Sequence, residues 1–214
     1  MSNLIIIGAN GGIGRQAVDQ ALSGGHRVTA LVRNPAKLPI THPNLQIVQA
    51  DVTRPLSLSG LFAGHDAIIS AIGVSGGFSD HPTSLYSQGA GNILREMKQA
   101  GLRRAFFISA SAVETNPLLP FFFRLVSRYI IQKLLANMYA DLRLMESEIK
   151  ETDLDWTIVR PPRLTDAKLT GNYRMAVNQF LKNGLKISRA DTAHFMLSHI
   201  QSGDMFRSIV EIGY

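Results

Sequence analysis

LIIIGANGGIGRQAV, residues 4–18, is the stretch from which the fold is read. Its first half, Leu4–Gly8, is a continuous apolar run, as a strand covered on both faces requires. Its second half opens a helix over Gly12–Ser23 that sets Ile13, Ala17, Ala21 and Leu22 on one face and ends at Gly24-Gly25. Between them Gly8, Gly11 and Gly14 fall in the spacing G-x-x-G-x-x-G. Gly8 permits the tight turn, Gly11 lets backbone approach an anion, and Gly14 lets helix and strand pack closely. The first-turn amides, near Gly12 and Ile13, present free N–H groups at the positive end of the helix dipole. Asn10 is placed to brace the turn. Strand, glycine turn and helix in this order form a pyrophosphate cradle of the kind that binds dinucleotides.

Outward from this unit, strand-length apolar runs alternate with helix-period segments. Strands are expected at Arg27–Val32, Leu45–Gln49, Ala67–Ala71, Arg104–Ile108 and Trp156–Arg160, where Pro161-Pro162 halts the last. Helices are expected near Leu56–Phe62 and over Thr83–Ala100, Pro120–Leu135, Tyr139–Glu151 and Arg189–Gln201. Short strands are expected near Tyr173–Val177 and Phe206–Ile212. The repeated β-α-β order predicts an α/β protein, a single-domain Rossmann fold over residues 1–214 with a doubly wound parallel sheet and helices on both faces. Asn116–Asn137 reads as a largely helical stretch.

The end of the second strand bears on the cofactor. No acidic residue lies between Asp19 and Asp51, while Arg33 closes the strand in ALVRN and Lys37 follows. A carboxylate there would bind the ribose hydroxyls of NAD, whereas a guanidinium suits the 2′-phosphate of NADP, so NADP(H) is preferred over NAD(H). Asp51 and Val52 close the third strand. The Asp51 carboxylate there either meets the adenine edge or caps the next turn.

Composition narrows the function classes. The 214 residues are 45% hydrophobic and 18% charged, enough for one domain with a full core. Without cysteine there is neither a disulfide framework nor a thiolate ligand or nucleophile. The net charge is +6, yet Lys and Arg are scattered, and no nucleic-acid motif accompanies them. An anionic small molecule is the expected partner, and nucleic acid is not. His194 and His199 stand five apart on one predicted helix and do not share a face, so no metal site is expected. The apolar stretch 118–135 is broken by Arg124, Arg128 and Lys133, so no transmembrane segment is expected. A cytoplasmic monomer or homodimer is the corresponding expectation.

The segments GANGGIG (8–14), LVRN (31–34), AD (50–51), SAIG (70–73), LDWTIVRPPRLTD (154–166), LTGNY (169–173) and ISRADTAHFML (187–197) together resemble the short-chain dehydrogenase/reductase superfamily in its atypical, NmrA-like branch. Within that branch they are similar to the flavin reductase/biliverdin reductase B group. The resemblance implies cofactor contacts from Gly8, Asn10, Gly11, Ile13, Gly14, Arg33, Asp51, Val52, Ala71 and Gly73. Ser109 and Pro161 would flank the nicotinamide. It implies reduction of a small flat acceptor (flavin, quinone or bilin-like) by direct hydride transfer, or NADP(H) sensing without turnover.

The superfamily's Ser-Tyr-Lys set is not reproduced. Ala110 stands at the aligned serine, with Ser109 and Ser111 beside it as substitutes. Tyr129 and Lys133 are four apart on one helix face, upstream of the expected register. Tyr139 is nearer, but Leu142 and Arg143 stand where the lysine belongs. A conjugated acceptor spreads incoming charge over its ring and needs no strong acid, which fits this departure. In the related reductases a histidine follows the double proline. Here Arg163 does, either holding an acceptor's anionic group or serving as surface charge. Relative to the related reductases Asn116–Asn137 is a helical insertion, and its Phe121, Phe122 and Phe123 form either an aromatic wall over the acceptor, or core packing, a dimer patch or a membrane-surface contact supported by the neighbouring cations.

Overall fold

The computed structural model describes residues 1–73, 82–118, 125 and 132–214, all but the side chain of Gln132. Six strands, β1 (Asn3–Ile7), β2 (Arg27–Val32), β3 (Leu45–Gln49), β4 (Ala67–Ser70), β5 (Arg104–Ile108) and β6 (Asp155–Arg160), form a parallel sheet in the order 3-2-1-4-5-6. Chain direction across the sheet reverses at β1, which pairs with both β2 and β4. That reversal opens a crevice at the carboxyl ends of β1 and β4.

Among the described residues, two long helices cover each face. α1 (Gly12–Ser23) and α4 (Arg189–Ser198) pack together on one side, while α2 (Leu85–Ala100) and α3 (Ala136–Lys150) pack on the other. The alternation along β1 divides the core: Leu4 and Ile6 join Ala17, Val18, Phe195 and Met196, and Ile5 and Ile7 join Ile93, Met97, Leu142 and Met145.

Beyond β6 the chain forms β7 (Arg163–Thr165), β8 (Arg174–Val177), β9 (Lys186–Ser188) and β10 (Ser208–Gly213). β10 adds parallel to β6, β8 closes the eight-stranded sheet antiparallel to β10, and β7 pairs with β9 apart from it. The β7–β9 pair is absent from the sequence expectation because three-residue runs carry no readable period. The helix expected near Leu56–Phe62 is instead a 3-10 turn at Pro55–Ser57. Gly60 follows at φ +73°, a left-handed conformation that interrupts any helix there, yet Leu58 and Phe62 are still buried. α4 ends at Ser198, short of Gln201. The buried Arg104 guanidinium takes the carbonyls of His199 and Ile200, and burial pushes its pKa down to about 10.

The segments 169–173 and 187–197 are fastened to each other by Asp191. Its Oδ1 accepts from the amides of Thr170 at 2.9 Å and Gly171 at 2.8 Å. Its Oδ2 accepts from the hydroxyls of Thr170 (2.8 Å), Ser188 (3.0 Å) and Tyr214 (2.5 Å). Ser188 caps α4 by accepting from the Asp191 amide. Gly171 holds φ +67°, and Tyr173 Oη lies 2.8 Å from His194 Nδ1. Asp191 thus fixes the start of α4 relative to the preceding loop.

Burial alone would push the Asp191 carboxyl up, but the Tyr214 hydroxyl, the Thr170 and Gly171 amides and the Thr170 hydroxyl bring it down to about 2 from an ordinary 3.8. A depressed carboxylate stabilises the fold above its unfolded pKa, and that contribution, about 2 kcal/mol, is lost as pH falls from near 4 towards 2. Urea unfolding of Asp191→Asn is expected to show a loss of roughly 2–4 kcal/mol at neutral pH that shrinks as the pH falls through this window. A loss independent of pH would contradict the assignment.

Candidate functional site

The site is built on contacts that leave no room for side chains. β1 enters Gly8 at φ +77°, and a Cβ there would lie 2.4 Å from the Ala71 carbonyl oxygen at the end of β4. A Cβ on Gly14 would lie 2.2 Å from the Gly8 carbonyl oxygen. Gly11 is less constrained: its Cβ would stand 3.2 Å from that same oxygen, and its amide donates to it at 2.8 Å. Gly11 is the N-cap of α1 and offers no side-chain cap, and the first turn carries no acid. The first helical bond runs from the Arg15 amide to the Gly11 carbonyl. The amides of Gly12 and Ile13 therefore precede the helical ladder and open onto a cleft of about 920 Å³.

One flank of the cleft is the end of β2. Arg33 and Lys37 line it, and among the described residues Arg33 enters no ion pair. Asn10 Nδ2 donates to the Asn34 carbonyl at 2.9 Å, tying the glycine turn to this flank. Asp51 Oδ1 accepts from the Thr53 amide (3.0 Å) and hydroxyl (2.8 Å). Burial raises the Asp51 pKa, but Thr53, Arg33 and Arg54 together leave it below the ordinary value. Of the two sequence readings of Asp51, its contacts are those of a turn cap, and it does not line the cleft. Val52 does, held by the buried Asn92, whose Nδ2 donates to its carbonyl at 2.7 Å.

The other flank is largely apolar, with Ile108, Ala110, Met138, Leu142 and Leu164. Ser109 lies among them, but its hydroxyl donates to Glu146 Oε1 at 2.7 Å. Glu146 is buried and held in turn by Arg160, Nε to Oε1 at 2.9 Å and Nη2 to Oε2 at 2.6 Å. Arg160 also reaches Glu114 at 2.9 Å, which lowers the Glu114 pKa.

Of the sequence-derived candidates, Gly8, Asn10, Gly11, Gly12, Ile13, Arg33, Val52, Ala71, Gly73 and Ser109 converge on this cleft. Gly14, Asp51, Ser111, Lys133, Pro161 and Arg163 do not line it. Gly14 is spent on packing against Gly8. Ser111 opens a 3-10 turn and donates its amide to the Pro161 carbonyl, so both serve that connection. Arg163 is exposed, because its neighbour on β7, Leu164, takes the cleft side. Lys133 is exposed. Tyr129, Phe121 and Phe122 lie outside the described residues. Tyr139, the other tyrosine weighed, is buried, and burial raises its phenol pKa. Residues the sequence reading passed over are Tyr86 on α2, Leu164 and Arg189, all lining the cleft. Their signal was missing because the helices and the strand that carry them are distant in sequence from the glycine turn.

A profile of proteins described as NAD(P)H-binding matches residues 8–202. The chain is 30% identical to an uncharacterized chloroplastic protein of Arabidopsis thaliana over 98% of its own length and 75% of the relative's. It is 29% identical to the photosystem II assembly factor Ycf39 of Synechocystis, over 55% of this chain and 36% of that protein, so it spans little more than a third of that relative. A short-chain dehydrogenase/reductase from Veillonella parvula, solved in complex with NADP, superposes with a TM-score of 0.82 at 15% identity, covering 100% of this chain and 94% of that one. At that identity the likeness is one of fold. Among the described residues no helix is long and apolar enough to cross a membrane.

The glycine contacts rank the substitutions. Gly14→Ala drives a methyl group into backbone, and the variant is expected to unfold or lose on the order of 3 kcal/mol or more by urea denaturation. Gly11→Ala is expected to remain folded. Equal stability of the two variants would refute the close packing of α1 on β1.

Proposed function

The chain belongs to the NAD(P)H-binding family, and we propose that it is an NADP(H)-dependent oxidoreductase reducing a flat conjugated acceptor such as a flavin, quinone or bilin-like ring by direct hydride transfer. The residues present fit the cofactor. A diphosphate needs backbone approach and free donors, and the Gly8–Gly14 turn supplies both, with the α1 dipole behind it. Arg33 and Lys37 flank the adenosine end of such a ligand, and the Asp51 carboxylate is engaged by Thr53 rather than offered to ribose hydroxyls. This favours a 2′-phosphate and hence NADP(H).

When bound, the reduced nicotinamide supplies the hydride. The apolar side chains of Ile108, Ala110, Met138, Leu142 and Leu164 exclude water beside the reacting ring. The observation that carries the choice of acceptor is the Ser109 hydroxyl. Already donating to Glu146, it has no proton to offer a substrate oxygen. A carbonyl reductase needs an acid at that oxygen, and of the serine and lysine candidates neither Ser109 nor the exposed Lys133 supplies it. A conjugated ring that delocalises the incoming charge can be protonated from solvent, and it suits this wall. The segments 154–166, 169–173 and 187–197, similar to those of flavin reductase/biliverdin reductase B, support the same class. One observation favours a second reading, an NADP(H) sensor without turnover: a relative 29% identical over 118 residues is named as a photosystem II assembly factor.

NADPH oxidation with FMN, riboflavin, quinones and biliverdin, with NADH in parallel, tests the proposal. Turnover with at least one acceptor is expected, with NADPH favoured by about tenfold or more, equivalent to about 1.4 kcal/mol, and Arg33→Ala removing most of that preference. Preference for NADH would overturn the cofactor assignment. Saturable NADPH binding with no turnover across the panel would leave the sensor in its place.

A further inference from the structure

Gly12 has no part in the turn itself. It lies outside the G-x-x-G-x-x-G spacing and is not among the glycines of positive φ. A side chain there would nevertheless collide with the protein: its Cβ would lie 2.3 Å from Cδ and 2.6 Å from Nε of Arg189. Arg189 is the first residue of α4, on a helix start held by the Asp191 network. Its side chain runs over the first turn of α1 and lines the same cleft as Gly11, Gly12 and Ile13. It is 31% exposed, and its Nη1 donates to Asp166 Oδ1 at 2.6 Å. Asp166 is 88% exposed and hangs in the loop after β7 with that ion pair as its tie.

We infer that Arg189 is a diphosphate-binding residue, and that Asp166 is the internal carboxylate it releases when a dinucleotide enters. The inference rests on the reading of the cleft as a dinucleotide site. A diphosphate held by the Gly12 and Ile13 amides would lie within one side chain's length of the guanidinium, because Arg189 already touches the space above Gly12. The two amides and the planar cation then face one shared volume. The guanidinium adds charge-assisted, paired hydrogen bonds that backbone amides alone do not supply. An exposed ion pair with Asp166 contributes little by itself and is readily exchanged. Gly12 is glycine, on this account, because any Cβ would displace the arm of the clamp.

Titrations with NADPH and with 2′-AMP, which retains the adenosine and 2′-phosphate but lacks the diphosphate, separate this role from others. Arg189→Gln is expected to weaken NADPH by about tenfold or more while leaving 2′-AMP within about twofold of the wild type. Arg189→Lys should recover part of the loss, and Gly12→Ala should reproduce it. Asp166→Asn, an exposed change that leaves the fold intact, is expected to tighten NADPH by roughly threefold to tenfold by removing the competing anion. NADPH affinity of Arg189→Gln within about twofold of the wild type would overturn the inference, as would a raised acceptor KM with unchanged NADPH affinity. If Arg189→Gln loses both ligands equally through misfolding, Asp166→Asn decides: unchanged or weaker NADPH binding refutes the exchange. Wild-type protein that takes up neither NADPH nor NADH would remove the reading of the cleft itself, a result distinct from failure at Arg189 alone.

Discussion

The start of α1 stands at the carboxyl ends of β1 and β4 because three backbone segments meet there with no side chain between them. Gly8 against Ala71 and Gly14 against Gly8 are contacts that a single methyl group would prohibit. They set the helix axis so that its first amides open into the crevice created where sheet direction reverses. Residues from β2, β4, β5, α3 and β7 then meet around one volume because each follows or packs against the same strand ends. The fold makes the cleft, and the glycines decide that backbone rather than side chain lines its floor.

A second constraint acts at the other side of the cleft. α4 would be one more helix on the sheet were it not for Asp191, which collects five donors from residues 170, 171, 188 and 214. The segments 169–173 and 187–197 are thereby two halves of one fastening. They place Arg189 over the first turn of α1 and hold β9 beside β7.

How much of this was legible in the sequence depended on the range of the interaction. β1, the glycine turn and α1 were readable because the signal is local: an apolar run, a glycine spacing and a helix period in fifteen consecutive residues. Arg33 and Val52 were readable because strand ends in a parallel sheet all face the crevice. Arg189 was not, since its proximity to Gly12 comes from tertiary packing of α4 beside α1 across most of the chain. Nor was the state of Ser109: its position at the end of β5 is local information, whereas its bond to Glu146 depends on how α3 lies against the sheet. Nor does the charge count show where charge is spent: Arg104 is buried and binds helix-end carbonyls, and Arg103 is paired with Asp153 and Asp155.

The electrostatics of the cleft follow from where carboxylates are kept rather than from the net charge of +6. Asp51 is folded onto Thr53, Glu146 is clamped by Arg160 and Ser109, and Asp191 is enclosed by five donors. α1 has no acid in its first turn. Among the described residues these carboxylates are each held by a neighbour, while Arg33 enters no ion pair, and the balance inside the cleft is positive. Asp166 is the exception, an exposed carboxylate bonded to a cleft-lining cation. In the proposed exchange Asp166, which holds Arg189 through Nη1, is the anion that an incoming diphosphate displaces, so a contact within the protein enters the affinity of the cleft beside the contacts to the ligand.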